Sequence, residues 1–206
     1  MPGQKATEAT RREEILRAAH QVALRRGIDG LTLRAVAARA RLSHGSVLFH
    51  FKRKDQLGLA LLDRILSTTV PPGILDAIEA GPDPRERLLA LFRQEMARLA
   101  AEPRPIRLLL EYWSRGAHNA VIRKKMLTAL EGYRAGFRRL AEEAFGGHRE
   151  MSGAATPAGI ATAAVSLILG YSVQAMIDPE QVDEAGYLAA AQGILRGPPS
   201  AGSPLP

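Results

Sequence analysis

The sequence predicts an all-α protein of about nine to ten helices, with an N-terminal three-helix module containing a helix-turn-helix and a larger helical region after it. Three observations carry this. Apolar residues recur at three- and four-residue spacing along nearly the whole chain, the pattern of one-sided helices. No run alternates Val, Ile, Thr and aromatic residues in the manner of a strand. Pro and Gly clusters cut the pattern into helix-sized pieces.

The first helix is expected from about Thr10 to Arg26, with Ile15, Ala18, Ala19, Val22 and Ala23 on its apolar stripe and Gly27 as its stop. The second follows Thr32, a hydroxyl cap, and runs through Ala40. Arg41-Leu42 makes a short turn to Ser43, a second cap, and the third helix covers about His44 to His50. A fourth begins near Asp55 with Leu57, Leu61 and Ile65 in a row. Breaks at Pro71-Pro72-Gly73 and Gly81-Pro82 precede a helix over Arg85 to Ala101. Pro103 and Pro105 separate it from Ile106 to Ala117. Asn119 caps a long helix to about Phe145, with Ile122, Met126, Leu130, Tyr133, Phe137, Leu140 and Ala144 on one stripe, and Gly146-Gly147 end it. An uncharged helix from about Ala158 to Ile177 and a last one from Asp183 to Leu195 follow. Residues 198–206, rich in Pro, Gly and Ser, are expected to be a disordered tail.

Composition narrows the function. The 206-residue chain has no cysteine, which excludes disulfides, thiolate metal sites and a cysteine nucleophile. Its formal charge of +7 is unevenly placed: 12 Lys/Arg against 5 Asp/Glu up to Leu57, and 16 of each thereafter. Either the basic quarter is a flexible tail, or it is a folded head for an anionic partner; its helical patterning favours the head. Met1 to Arg12 is polar and lacks the apolar core of a signal peptide, so a cytoplasmic location is expected. The uncharged stretch before Asp178 is long enough to span a bilayer, but its Pro157, Ser and Thr residues and Gln174 read as a helix buried in a protein assembly, with no membrane partner. His44 and His50 stand six apart, and His118 and His148 stand alone, so no metal site is expected. Phosphate-binding loops and nucleophile elbows are absent, no cofactor is implied, and the chain reads as a non-enzyme. Glu111, Glu131 and Glu142-Glu143 read as solvated helix faces.

The informative stretch is Gly30 to Leu57, where two short helices, each opened by a hydroxyl cap, meet at a tight turn. Ala37 is small enough for close packing, and Val47 and Phe51 fall on the core side. Ser43, His44, Gly45, Ser46, Leu48, Phe49 and His50 remain to face outward in various directions.

With those residues in place, the sequence resembles the TetR family of transcriptional regulators. The matching elements are Gly27-Ile28-Asp29-Gly30-Leu31-Thr32, Val36-Ala37, Ser43-His44-Gly45-Ser46, and His50-Phe51-Lys52-Arg53-Lys54-Asp55-Gln56-Leu57. The resemblance implies that the third helix enters the DNA major groove. Ser43 and His44 at its start would meet bases or phosphates, with Gly45, Ser46, Leu48, Phe49 and His50 on the same element. Thr32 and Lys54 would hold phosphates, and Arg34 and Arg41 would add backbone contacts. Many family members carry Tyr where this chain has Leu48, whose side chain cannot reach a phosphate with a hydroxyl. Leu48 or Phe49 then packs on a thymine methyl, or Leu48 packs against the first helix.

The resemblance also divides the chain into a DNA-binding domain, residues 1–57, and a dimerisation and ligand-sensing domain, residues 58–197, with the fourth helix linking them. It implies a homodimer through the helices at about 120–145 and 158–177, whose Ala163, Ala164 and Gly170 permit close packing. Two recognition helices about 34–36 Å apart would read an inverted repeat in double-stranded DNA. The segments from Leu108 to Leu140 and from Leu169 to Asp183 more loosely resemble the C-terminal region of BetI-like members, a group that includes a choline sensor. Glu111, Tyr112 and Trp113 are either an aromatic cage for a quaternary amine or ordinary core packing. Phe92, Met96, Leu110, Trp113, His118 and Tyr171 are candidate liners of an effector pocket. The expected function is a ligand-responsive repressor, released from its operator by a small molecule; the alternative is an architectural or division-related DNA-binding protein of the same fold without an effector.

Overall fold

The structure is a computed structural model that describes residues 7–69, 83–101, 104–145, 156–178, 180 and 182–196. Among these, every regular element is a helix: α1 (Glu8–Arg26), α2 (Leu33–Ala40), α3 (His44–His50), α4 (Lys54–Thr69), α5 (Pro84–Ala101), α6 (Arg104–Gly116), α7 (Ala120–Phe145), α8 (Pro157–Ile177) and α9 (Glu184–Arg196). Predicted and observed ends differ by one or two residues, within the usual fraying of helix termini. The expected breaks at 71–73, 81–82 and 146–147 and the tail at 198–206 lie outside the described residues.

The chain divides into two compact units that interleave in sequence. The first comprises Met1–Pro71 and Arg104–Thr128, the second Pro72–Pro103 and Ala129–Pro206, so α7 contributes to both.

In the first unit α1 packs on α2, α4 and α6, and α2 packs on α3. The predicted stripe of α1, Ile15, Ala18, Ala19, Val22 and Ala23, is its buried face. Val36 and Ala37 bury the inner side of α2, Val47 that of α3, and Leu57, Leu61 and Ile65 that of α4. Each short helix starts on a side-chain cap. Thr32 Oγ1 accepts from the Ala35 N–H at 3.1 Å, and Ser43 Oγ from the Ser46 N–H at 3.1 Å. These caps satisfy backbone donors that helices of eight and seven residues cannot pair internally.

The second unit packs α8 against α5 and α9, and α5 against α9. Phe92 and Met96 of α5, Phe137 of α7 and Ile168 of α8 are among its fully or nearly fully buried side chains. α8 is, by length and composition, long and apolar enough to cross a membrane. It buries Ala161, Ala164, Val165, Ile168, Tyr171 and Ser172, and leaves the apolar Ile177 at its end exposed.

Candidate nucleic-acid interface

The turn between α2 and α3 fixes the geometry of the site. Arg41 adopts the left-handed conformation at φ 56, ψ 40, which brings its own N–H to the Ala38 carbonyl at 3.3 Å and the Leu42 N–H to the Ala37 carbonyl at 3.0 Å. That pair of bonds closes α2 in a Schellman motif and reverses the chain within two residues. A non-glycine residue there pays a steric penalty, so the sequence keeps a cation where Gly would be more comfortable.

The exposed side of α2 and α3 collects the residues singled out above. Thr32, Arg34, Arg41, Ser43, His44, Gly45, Phe49 and Lys54 are exposed; Ser46, Leu48 and His50 are half-buried. Val47 and Phe51 are buried, so α3 has one face against the core and the other open. Phe49 is 66% exposed, unusual for so large an apolar ring. The Lys52 ammonium lies 5.6 Å from its centroid, and the His50 ring meets it edge-on. Gly45 sits in a regular helix with nothing nearer than 3.9 Å to where a Cβ would stand. The fold therefore leaves room for a side chain there, and the bare backbone is available to something outside.

Of the surrounding cations, Lys54 and Arg12 are held by contacts that leave their charge unpaired. Arg34 and Arg41 make no ion pair among the described residues. Lys54 Nζ donates to the Asp29 carbonyl at 3.0 Å, which steadies it at the start of α4 and leaves two donors free. Arg12 stacks over the buried Phe51 ring at 4.3 Å and donates to the His50 carbonyl at 3.4 Å, tying α1 to the end of α3.

A second set of residues, not legible as functional in the sequence, links this head to α6: Arg107 and Glu111 through backbone groups, Arg115 through an exposed ion pair. Arg107, Glu111 and Arg115 stand four apart on one side of that helix. Arg107 donates to the Leu24 carbonyl, Glu111 accepts from the Ile28 N–H at 2.6 Å, and Arg115 donates to Asp29 Oδ1 at 2.7 Å. Gly27 makes this possible. Its φ of 69 suits glycine, and a Cβ would stand 3.1 Å from the Glu111 carboxylate. Glu111 is thus not a solvated carboxylate, as its surroundings in the sequence suggest, but the acceptor for a backbone donor at the end of α1.

The same contacts correct the aromatic-cage reading. Glu111 is engaged with Ile28, and Tyr112 is buried with its hydroxyl donating to the Gly58 carbonyl at 2.7 Å. Burial pushes the Tyr112 phenol well above its ordinary range, so it stays a donor. Trp113, on the next step around the helix, is exposed at 38%. Glu111 and Tyr112 are spent on partners of their own, and Trp113 alone of the three is exposed. Of the other candidate pocket liners, Leu110 and His118 also belong to the first unit, where His118 borders a cavity of about 380 Å³. Phe92, Met96 and Tyr171 are buried in the second unit. Among the described residues no three His, Asp or Glu side chains are grouped as metal ligands.

Comparison with known proteins agrees with the geometry. The pattern of bacterial regulatory proteins of the tetR family matches residues 15–61, and that of the BetI-type transcriptional repressor C-terminal region matches residues 84–197. A relative in Xanthobacter autotrophicus, described as an HTH-type transcriptional regulator in the dhlA 5′ region, is 30% identical over 181 residues, 83% of this chain and 82% of its own. A transcriptional regulator of Rhodococcus sp. Rha1 has a solved structure that superposes with a TM-score of 0.69 at 25% identity, covering 90% of this chain and 94% of that one. A regulator from Saccharomonospora viridis, solved in complex with choline, shares the fold with a TM-score of 0.70 at 18% identity, covering 92% and 95%. The relatives are transcriptional regulators rather than enzymes, and the chain belongs to the TetR family of helix-turn-helix, DNA-binding transcriptional regulators.

Proposed function

We propose that this chain is a ligand-responsive repressor that binds an inverted-repeat operator as a homodimer in the cytoplasm and leaves it when a small molecule binds. The observation that carries the DNA-binding half is the open side of α3. Residues His44, Gly45 and Phe49 are exposed beside the uncompensated Arg34 and Arg41, while Val47 and Phe51 lock the opposite side into the core. In this reading Arg34, Arg41, Thr32 and Lys54 hold phosphates and set the register, and Ser43, His44, Gly45, Ser46, Leu48, Phe49 and His50 meet the groove. Phe49, exposed and apolar, suits a thymine methyl, a contact that carries sequence information without a hydrogen bond.

Dimerisation is supported by the exposed apolar residues of α7 and α8. Val121, Leu127 and Ile177 are all more than half exposed in a single chain. An isologous contact through these helices would cover such residues and set the spacing of two recognition helices. Release by an effector requires that it bind the DNA-free form more tightly than the bound form.

Footprinting on genomic fragments should reveal one palindrome protected by a dimer of the chain; many dispersed sites, or a monomeric mass by sedimentation, would overturn this reading. Replacing Lys54 with Ala should weaken binding to all sequences alike and lower the slope of log affinity against log salt by about one. An unchanged slope removes Lys54 from the phosphate contacts.

A further inference from the structure

Within the first unit, the Gly27–Leu31 loop, the start of α4, the end of α6 and the start of α7 enclose an open cavity of about 380 Å³. Its walls include Ile28, Leu59 and Ile122, which are apolar, and its rim carries Arg115 and Lys54. The lining also holds one carboxylate, Asp55, which meets Arg53 at 2.8 Å in an exposed pair, so two cations, Arg115 and Lys54, face one acid. Both rim cations currently use one residue, Asp29. Arg115 takes its carboxylate at 2.7 Å and Lys54 its backbone carbonyl at 3.0 Å.

That Asp29 side chain is 93% exposed. An ion pair so open to water contributes little and exchanges readily. The guanidinium of Arg115 still holds its carboxyl below the usual range, through the hydrogen bond first and the charge second, so the position favours a carboxylate in its ionised form. A guanidinium offers a planar fork that fits a carboxylate with two parallel bonds, and Asp29 takes a bond from one arm of it, Nη2.

We propose that this cavity binds a small amphipathic carboxylic acid, with Arg115 as its anchor. The ligand's carboxylate replaces that of Asp29 on the guanidinium, and its apolar body lies on Ile28, Leu59 and Ile122. The volume suits a body of on the order of ten non-hydrogen atoms, at the small end of ligand pockets. Such a ligand also draws on Lys54, so occupancy and phosphate contact compete for one ammonium. That consequence rests on the DNA-binding role assigned to Lys54 above; the binding itself does not.

Calorimetric titration of the full chain, without DNA, with 4-phenylbutyrate and with its uncharged primary amide tests the site. The acid should bind about ten-fold more tightly than the amide, and Arg115→Gln should remove that advantage while leaving amide binding alone. Leu59→Trp, which fills the cavity from a half-buried position, should abolish both and serves if the Arg115 variant fails to fold. Equal affinity for acid and amide, an Arg115→Gln variant that keeps the preference, or no heat at about 5 mM acid overturns the proposal. A chain that binds the acid with no change in duplex affinity overturns the effector reading and leaves the site standing. A chain that ignores the acid but binds duplex overturns the site alone.

Discussion

The open side of α2 and α3 and the interior of the second unit handle charge in opposite ways. Around α2 and α3 the cations stand at the surface: Arg34, Arg41 and Lys54 are exposed, and the structure beneath them rests on hydroxyl caps and a small apolar core. In the second unit a carboxylate is sealed inside. Glu95 is 1% exposed, accepts from Arg98 at 2.5 Å and from the Tyr133 hydroxyl at 2.8 Å, and so joins α5 to α7. Burial first, and the nearby Glu95 carboxylate second, hold the Tyr133 phenol well above its ordinary range, which keeps its proton available to that bond. The difference separates two uses of polarity. Glu95 is spent on joining two helices, whereas Arg34 and Arg41 make no ion pair among the described residues and stand open to a partner outside.

The sharpest way to break that contrast is to remove the buried carboxylate. Glu95→Ala leaves the Tyr133 hydroxyl without its acceptor in the interior and should cost about 2–4 kcal/mol in a denaturant titration. Glu95→Gln, which keeps an acceptor, should cost clearly less. If both variants are as stable as the parent, Glu95 is not a structural group.

In the head the same kind of experiment should give the opposite sign. Arg41→Gly relieves a left-handed backbone and should raise stability by about 1 kcal/mol, while weakening DNA binding through the lost cation. A variant that is both more stable and equally tight on DNA would show that Arg41 is only a turn residue. The smallest effect concerns Gly45. There is room for a methyl, so Gly45→Ala should stabilise α3 by about 0.5–1 kcal/mol, yet reduce operator affinity if the bare backbone lies against DNA. Thermal unfolding and an affinity measurement on the same preparation separate the two.

Much of the head was legible in the sequence because its signals are local. Thr32 and Ser43 lie three residues before the N–H groups they cap, and Val47 and Phe51 follow the helical period that buries them. The long stripe of α7 from Ile122 to Ala144 was legible for the same reason, although Leu130 in its middle is only half-buried. The role of α6 was not legible. Glu111 meets Ile28 across 83 residues, Arg107 meets Leu24 across 83, and Arg115 meets Asp29 across 86. Periodicity assigns such residues to an outward face and says nothing of what arrives there. Glu95 was hidden differently: a carboxylate within an amphipathic helix reads as solvated until a tyrosine 38 residues later is brought to it.

The sequence by itself determined the all-α class, the order and near ends of the helices, the helix-turn-helix and the concentration of positive charge upon it. These depend on caps, turn residues and the 3.6-residue period, all set within a few neighbours along the chain. Only the tertiary structure decided which polar residues are spent internally. It placed Glu111 on the end of α1, Glu95 inside the second unit, and Arg115 with Lys54 at the rim of a cavity. Those outcomes turn on whether a polar group finds a partner before it loses water, and Ile28 for Glu111, Tyr133 for Glu95 and Asp29 for Arg115 all come from distant parts of the chain.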